Sequence, residues 1–436
     1  MKRRRIVLLL DGTWNDDEFG ETDTNIVRLR QIISGTLTEP LGTPQTGRKH
    51  NSEGQVVSGK HYRGAEYIVF YKRGVGTGAL LDRLWGGAFG EGLDRNIRQA
   101  YKFLSFHYQP GDQIFVFGFS RGSYTARSLV GYIAAIGLLR REHCTEDNER
   151  RVWDFYRTSP EDRLPGVWEE LGQYVHDRDR LRIELIGVFD TVGALGIPGE
   201  SFNRWNRERY QFHDVELSSI ANVNLHALAI DEHRLPFQAT VWRRARFKSF
   251  ATVTEQVWFP GCHADVGGGY IDEAHRQKSA LDDLPLDWMC KRLLAHFPDF
   301  PVASQFACLR GSHLAKQHDS RVGKYLLYRK AWRSITNTPV EVREWPHGYE
   351  ILVCRDRHMV PINEMVHISA LERLGQEVYI DEVKRPYAPK NLAGVLDLIE
   401  ATYNERSNNL AADNVVLVVN SEGKPSAAAS NAIEPG

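Results

Sequence analysis

FVFGFSRGSYTARSLVG, from Phe115 to Gly131, decides how the rest of the chain is read. Its first part is a continuous apolar run, the pattern of a strand covered on both faces. Its continuation spaces Ala126, Leu129, Val130, Ile133 and Ala134 at helical intervals. Between strand and helix, Gly118 to Gly122 form a GxSxG string. That string is common enough to mean little alone, but the strand-turn-helix setting is the one a nucleophile elbow requires. Gly118 and Gly122 leave room for a tight turn, and Ser120 sits at its apex. The backbone N–H of Arg121, at the helix N-terminus, would face a developing oxyanion. The competing reading is a turn whose serine merely caps the helix.

Working outward, RIVLLL (5–10), EYIVFY (66–71), DQIFVFGF (112–119), LRIELIGVF (181–189) and EQVWFPG (255–261) each read as a buried strand running into turn residues. Helical patterns follow the first, at TNIVRLRQII with Thr24 or Asn25 as cap, and precede the third, over Glu91–Tyr108. Alternating strands and helices predict an α/β-hydrolase-like fold, a mostly parallel central sheet flanked by helices, with its site at the carboxyl ends of the strands. One catalytic domain is expected over residues 1–400. Insertions are expected at about 40–65, which reads as mobile, at 139–180, charged with spaced aromatics, and at 300–360. Residues 401–436 read as a disordered tail, although VVLVV at 415–419 could add a strand.

Composition bounds the partners. Lys+Arg (55) and Asp+Glu (56) nearly cancel across 436 residues, so no overall field draws the molecule to nucleic acid. The five cysteines are scattered without a CxxC pair, which predicts neither a disulfide framework nor a thiolate zinc site. The opening MKRRRIVLLLDGT places basic residues before an apolar run, but Asp11 interrupts that run after Leu10. A buried first strand fits it better than a signal peptide. No window approaches the ~18 apolar residues of a spanning helix, so synthesis in the cytoplasm is expected.

A serine nucleophile needs a base, and the base needs an orienting acid. Asp190 ends one candidate strand and His263 follows the next, in the chain order Ser, acid, His of an α/β-hydrolase. Asp265 is a second candidate acid and His367 a second candidate base. The DGTWN turn is the best source of a further oxyanion donor, through Gly12 and Thr13, with Asp11 either anchoring that loop or meeting a polar substrate group. Gly267, Gly268 and Gly269 lack the Lys-Ser/Thr of a phosphate loop. No second histidine lies at ligand spacing near His263, so neither a metal nor a cofactor is expected.

With these residues in place, the chain resembles the catalytic domain of type VI secretion phospholipase effectors of the first lipase-effector family. The matching stretches are LLLDGTWN, TNIVRL, GFSRGSYTAR, GVFDTVGALG, LHALAIDEHR, VWFPGCHADVGGGY and VHISALER. The resemblance implies a serine-dependent phospholipid ester hydrolase whose nucleophile, acid and base fall on Ser120, Asp190 and His263. It also implies transient contact with a membrane surface, export by a type VI system, and a secretion-apparatus or immunity partner. A non-lipid serine esterase and a binding or scaffold protein on a hydrolase fold are the alternatives. A lid exposing apolar surface would favour lipids over short esters, and LWGGAFG (84–90) and IPGESFNRW (197–205) are the apolar, Gly-containing stretches from which one could be built.

Overall fold

The computed structural model describes residues 3–12, 24–38, 55–74, 88–158, 162–192 without 165, 219–245, 252–270, 280–302, 312–335 without 328–329, 340–353 without 346–347, 359–396, 399 and 415–417. The central sheet has nine strands: β1 (Arg3–Leu10), β2 (Gln55–Tyr62), β3 (Ala65–Lys72), β4 (Gln113–Phe119), β5 (Ile183–Phe189), β6 (Ala221–Ala229), β7 (Val253–Phe259), β8 (Glu364–His367) and β9 (Val415–Leu417). Their spatial order is β9-β8-β7-β6-β5-β4-β1-β3-β2. The seven inner strands are parallel, and only the outermost pairs, β2 with β3 and β9 with β8, are antiparallel. This is an α/β-hydrolase-like fold.

The pleat explains why the inner strands read as unbroken apolar runs. Successive side chains point to opposite faces, and here both faces are covered. Ile6, Leu8 and Leu10 of β1 pack with Ile114 and Val116 of β4 beneath α2 (Ala88–His107), α3 (Arg121–Ile136) and α4 (Glu146–Arg157). Val7 and Leu9 pack with Phe115 and Phe117 on the other face, against α1 (Asn25–Thr36) and the later helix at Asp283–His296. Thr24 is the cap of α1, its hydroxyl accepting the Val27 N–H at 3.2 Å. A short helix, α5 (Val167–Gly172), lies in the 139–180 stretch with α4.

Three strands of the sheet, β2, β6 and β8, lie outside the expected set. The stretch expected as a mobile insertion at 40–65 contains β2, an edge strand that β3 pairs on one side; its described part belongs to the sheet. β6 was not among the expected strands, because Asn222, Asn224 and His226 interrupt its apolar pattern. Within the expected tail, 415–417 add strand β9 beside β8.

Candidate active site

Because β1, β4, β5 and β7 run parallel, Asp11, Ser120, Asp190 and His263 all emerge at one edge of the sheet. Ser120 has φ 56° and ψ −120°, an uncommon conformation for a residue with a side chain and one that costs about 1–3 kcal/mol. Its surroundings hold it there. The Ser120 N–H donates to Phe189 O at 3.1 Å, the Ser123 hydroxyl donates to the same carbonyl at 2.8 Å, and Tyr124 N–H returns to Ser120 O at 3.2 Å. The two glycines leave no space for anything larger. A Cβ on Gly118 would lie 2.6 Å from Gly122 O, and one on Gly122 would lie 2.1 Å from Leu10 O. The elbow is thus wedged against the end of β1.

Asp190 follows β5 directly, at φ 42°, its N–H bonded to Ala227 O at 2.7 Å. Its Oδ1 accepts the Ala229 N–H at 2.9 Å, and its Oδ2 lies 2.5 Å from His263 Nδ1. His263 opens α6 (His263–Gly267), which is capped by a reciprocal box between Cys262 and Asp265. The other ring nitrogen, Nε2, lies 2.8 Å from Ser120 Oγ. An ionised carboxylate can only accept, so Nδ1 carries the proton and Nε2 accepts from the serine hydroxyl. The imidazole is held between Phe119 and Phe237, at centroid distances of 4.8 and 5.2 Å. Burial lowers the His263 pKa, though Asp190 opposes this, so the ring is neutral near pH 7. Burial alone would raise the Asp190 pKa, but the Arg333 cation and the His263 bond outweigh it and hold the carboxyl far below the usual range.

Arg333, His226 and Glu232 are site residues that sequence reasoning missed. Arg333 is fully buried and grips Asp190 with both terminal nitrogens, Nη1 to Oδ1 at 2.5 Å and Nη2 to Oδ2 at 2.9 Å. His226 accepts the Thr191 N–H at 3.1 Å and so fixes the turn after Asp190; burial lowers its pKa to about 3 and keeps it neutral. Glu232 accepts the His263 N–H at 3.3 Å and pairs with Arg234. His226 and Glu232 both stand in LHALAIDEHR, and that stretch was the one signal pointing toward them.

The alternative residues have other partners. Asp265 Oδ1 lies 2.7 Å from His318 Nδ1 and Oδ2 accepts the His318 N–H, so it does not orient His263. His367 caps the helix Ile368–Arg373, lies 2.7 Å from Ser369 Oγ through Nδ1, and stacks on Phe259. It is not in reach of the serine. Asp11 anchors its loop: it accepts from Gly12 N–H at 2.7 Å, Thr24 Oγ1 at 2.9 Å and Tyr71 OH at 2.9 Å, and burial pushes its pKa to about 6. The Gly12 N–H is therefore spent on Asp11, which leaves Thr13 as the donor expected from this turn. Gly12 gives the close approach expected of it, since a Cβ there would lie 3.3 Å from Ser120 Cβ. Thr13 and 197–205 lie outside the described residues, as do 84–87. Among the described residues, no group of three or more His, Cys, Asp or Glu is placed to hold a metal, and no helix is long and apolar enough to cross a membrane.

A parallel sheet with a serine elbow, a histidine and a buried aspartate in hydrogen-bonded series defines the chain as α/β-hydrolase-like. Residues 4–292 match the family described as "T6SS, Phospholipase effector Tle1-like, catalytic domain". The chain belongs to that family. It is 30% identical over 244 residues to the "Uncharacterized protein YEL023C" of Saccharomyces cerevisiae, covering 54% of this chain and 32% of the yeast protein. Two solved structures are similar. One is "Structure of the Tle1 effector bound to the VgrG spike from the Type 6 secretion system" (19% identity, TM-score 0.31, 62% of this chain and 51% of that one). The other is an uncharacterized protein from Pseudomonas aeruginosa (16% identity, TM-score 0.31, 71% and 47%). The chain thus spans about half the length of the solved relatives and about a third of the yeast one.

Proposed function

We propose that this chain is a serine-dependent hydrolase that cleaves acyl esters of phospholipids through an acyl-enzyme. The observation that carries the proposal is the continuous series from Ser120 Oγ through His263 to Asp190, at 2.8 and 2.5 Å. Ser120 attacks the ester carbonyl while His263 Nε2 takes its proton. Asp190 then stabilises the imidazolium, and the protonated ring gives the proton to the leaving alcohol. The N–H of Arg121, at the start of α3, holds the tetrahedral oxyanion, with a second donor from the Gly12–Thr13 turn through Thr13. Water, activated by the same histidine, releases the acid.

Family membership supports phospholipid as the substrate, and so does the surface beside the histidine. Phe237, which meets the His263 ring edge-on, also meets the Tyr325 ring edge-on, with centroids 6.0 Å apart. Leu235, two residues before Phe237 in the chain, and Val322 and Leu326, three before and one after Tyr325, are 46%, 48% and 60% exposed. Exposed apolar residues on the segments that carry Phe237 and Tyr325 suit transient contact with a lipid surface. The double variant Leu235→Asp, Leu326→Asp is expected to lose about tenfold or more of its rate on phospholipid vesicles and keep its rate on a short soluble ester. Equal rates of the variant and the parent on vesicles would remove the lipid-surface contact. A parent active on soluble esters and inert on vesicles would leave a non-lipid esterase. Export through a type VI spike, with a secretion-apparatus partner, is part of the same proposal and is supported by the family's description.

A pH prediction follows from the histidine. His263 accepts the serine proton only when neutral, and burial places its pKa below the ordinary 6.5. The kcat/KM on a short soluble ester should therefore stay high below pH 6.5 and fall only as pH drops through the lowered value. A profile recorded from about pH 4 to about pH 8 checks this, and an acid limb centred above 6.5 would contradict it.

A further inference from the structure

We infer that Arg333 is a positioning residue of the catalytic centre: its cation fixes Asp190 in one orientation and offsets the carboxylate's charge, so that His263 rests neutral and ready to act as base. The inference rests on the Ser120-His263-Asp190 reading above. Arg333 lies beyond the residues matched by the family, as do His318 and Ser320. Those two hold Asp265 and Glu232 as Arg333 holds Asp190, with Ser320 Oγ donating to Glu232 Oε1 at 2.8 Å. Three carboxylates around the His263 helix thus take partners from the segment 318–333.

The guanidinium geometry is specific. Both terminal nitrogens reach Asp190, and each also donates to a backbone carbonyl, Nη1 to Ala229 O at 2.9 Å and Nη2 to Phe237 O at 2.6 Å. All four terminal N–H groups are used. The carboxylate is locked to the end of β6 and to the residue whose ring faces His263. A lysine ammonium carries the same charge from a single point and cannot span both oxygens and both carbonyls.

The charge balance gives the inference its test. Around the imidazole stand Asp190, Glu232, Arg234 and Arg333, with Asp265 on the same helix held by His318. His226 and Arg127 lie behind the Asp190 turn, and His226 is neutral. Glu232 and Arg234 form a buried pair, which leaves Arg333 to balance Asp190. Without it, Asp190 and neutral His263 would be a buried pair with an uncompensated negative charge. Taking up one proton, on either member, relieves that charge and removes the base. The pair titrates as a unit, so the sign is the same whichever atom holds the proton.

The test is the acid limb of kcat/KM on a short soluble ester for the full chain and for Arg333→Met and Arg333→Lys, with thermal unfolding as the check on folding. Arg333→Met is expected to shift the limb upward by about one pH unit or more and to lose about 10²-fold at neutral pH, part of which returns at higher pH. Arg333→Lys is expected to keep the limb near the parent's and to lower kcat with little change in KM. A folded Arg333→Met with an unmoved limb overturns the inference. If the Met variant does not fold, an Arg333→Lys protein with the parent's kcat overturns it, because the fork would then be dispensable. Activity in Ser120→Ala equal to the parent's would instead sink the triad reading, and a positive Ser120 result with a negative Arg333 result sinks only this inference.

Discussion

Ser120→Ala is expected to lower kcat on any ester substrate by a factor of about 10⁴ or more, with the thermal unfolding midpoint unchanged or slightly raised. The size follows from the mechanism proposed for the site: without the hydroxyl there is no acyl-enzyme, and only oxyanion binding remains to assist water. The unchanged midpoint follows from the structure. The Ser120 hydroxyl is bonded to His263, while the elbow is held by backbone bonds and by Ser123, none of which the substitution removes. His263→Ala should lose a comparable factor, and the double variant should lose scarcely more than either single one, because nucleophile and base act as one unit. Additive losses, each of modest size, would mean that the two residues work separately.

Gly122→Val is expected to destabilise the fold by at least about 3 kcal/mol and to abolish activity together with it. Even the first added carbon would sit 2.1 Å from Leu10 O and 2.6 Å from Asp11 O. Both are backbone atoms at the end of a buried strand, and neither has a flexible side chain that could yield. α3 must lift from β1, which opens the core cluster that Leu129 and Ile133 of α3 share with Leu8 and Leu10 of β1. Gly92→Ala is the matched control, since Gly92 lies in α2 with nothing within 4 Å of a Cβ. It should be neutral or stabilise by up to about 1 kcal/mol. Differential scanning calorimetry of the pair, beside parent protein, measures both. A Gly122→Val protein as stable as the parent would contradict the wedge at the elbow.

The features legible in the sequence are those whose cause is local. Buried parallel strands must be apolar on both faces, so β1, β3, β4, β5 and β7 announce themselves as runs. The elbow is legible because its glycines and its serine are contiguous. β6 hides because its buried polar residues find partners only across the sheet, Asn224 at the Thr254 hydroxyl and His226 at the Thr191 N–H. β2 hides because an edge strand tolerates the polar sequence of a loop. Choosing among Asp190, Asp265, His263 and His367 needed distant information of the same kind. Asp265 is occupied by a histidine 53 residues away, and Arg333 reaches Asp190 from 143 residues away. No local pattern marks Arg333, which stands in an unremarkable AWRSI.

In the proposed mechanism Ser120 is the nucleophile that His263 activates. The most direct measurement is reaction of the purified chain with an alkyl fluorophosphonate, followed by intact mass and peptide mapping. One covalent adduct per chain is expected, on the peptide carrying Ser120, absent from Ser120→Ala and formed more slowly as pH falls through the His263 pKa. An unlabelled parent protein, or an adduct that persists in Ser120→Ala, would contradict it.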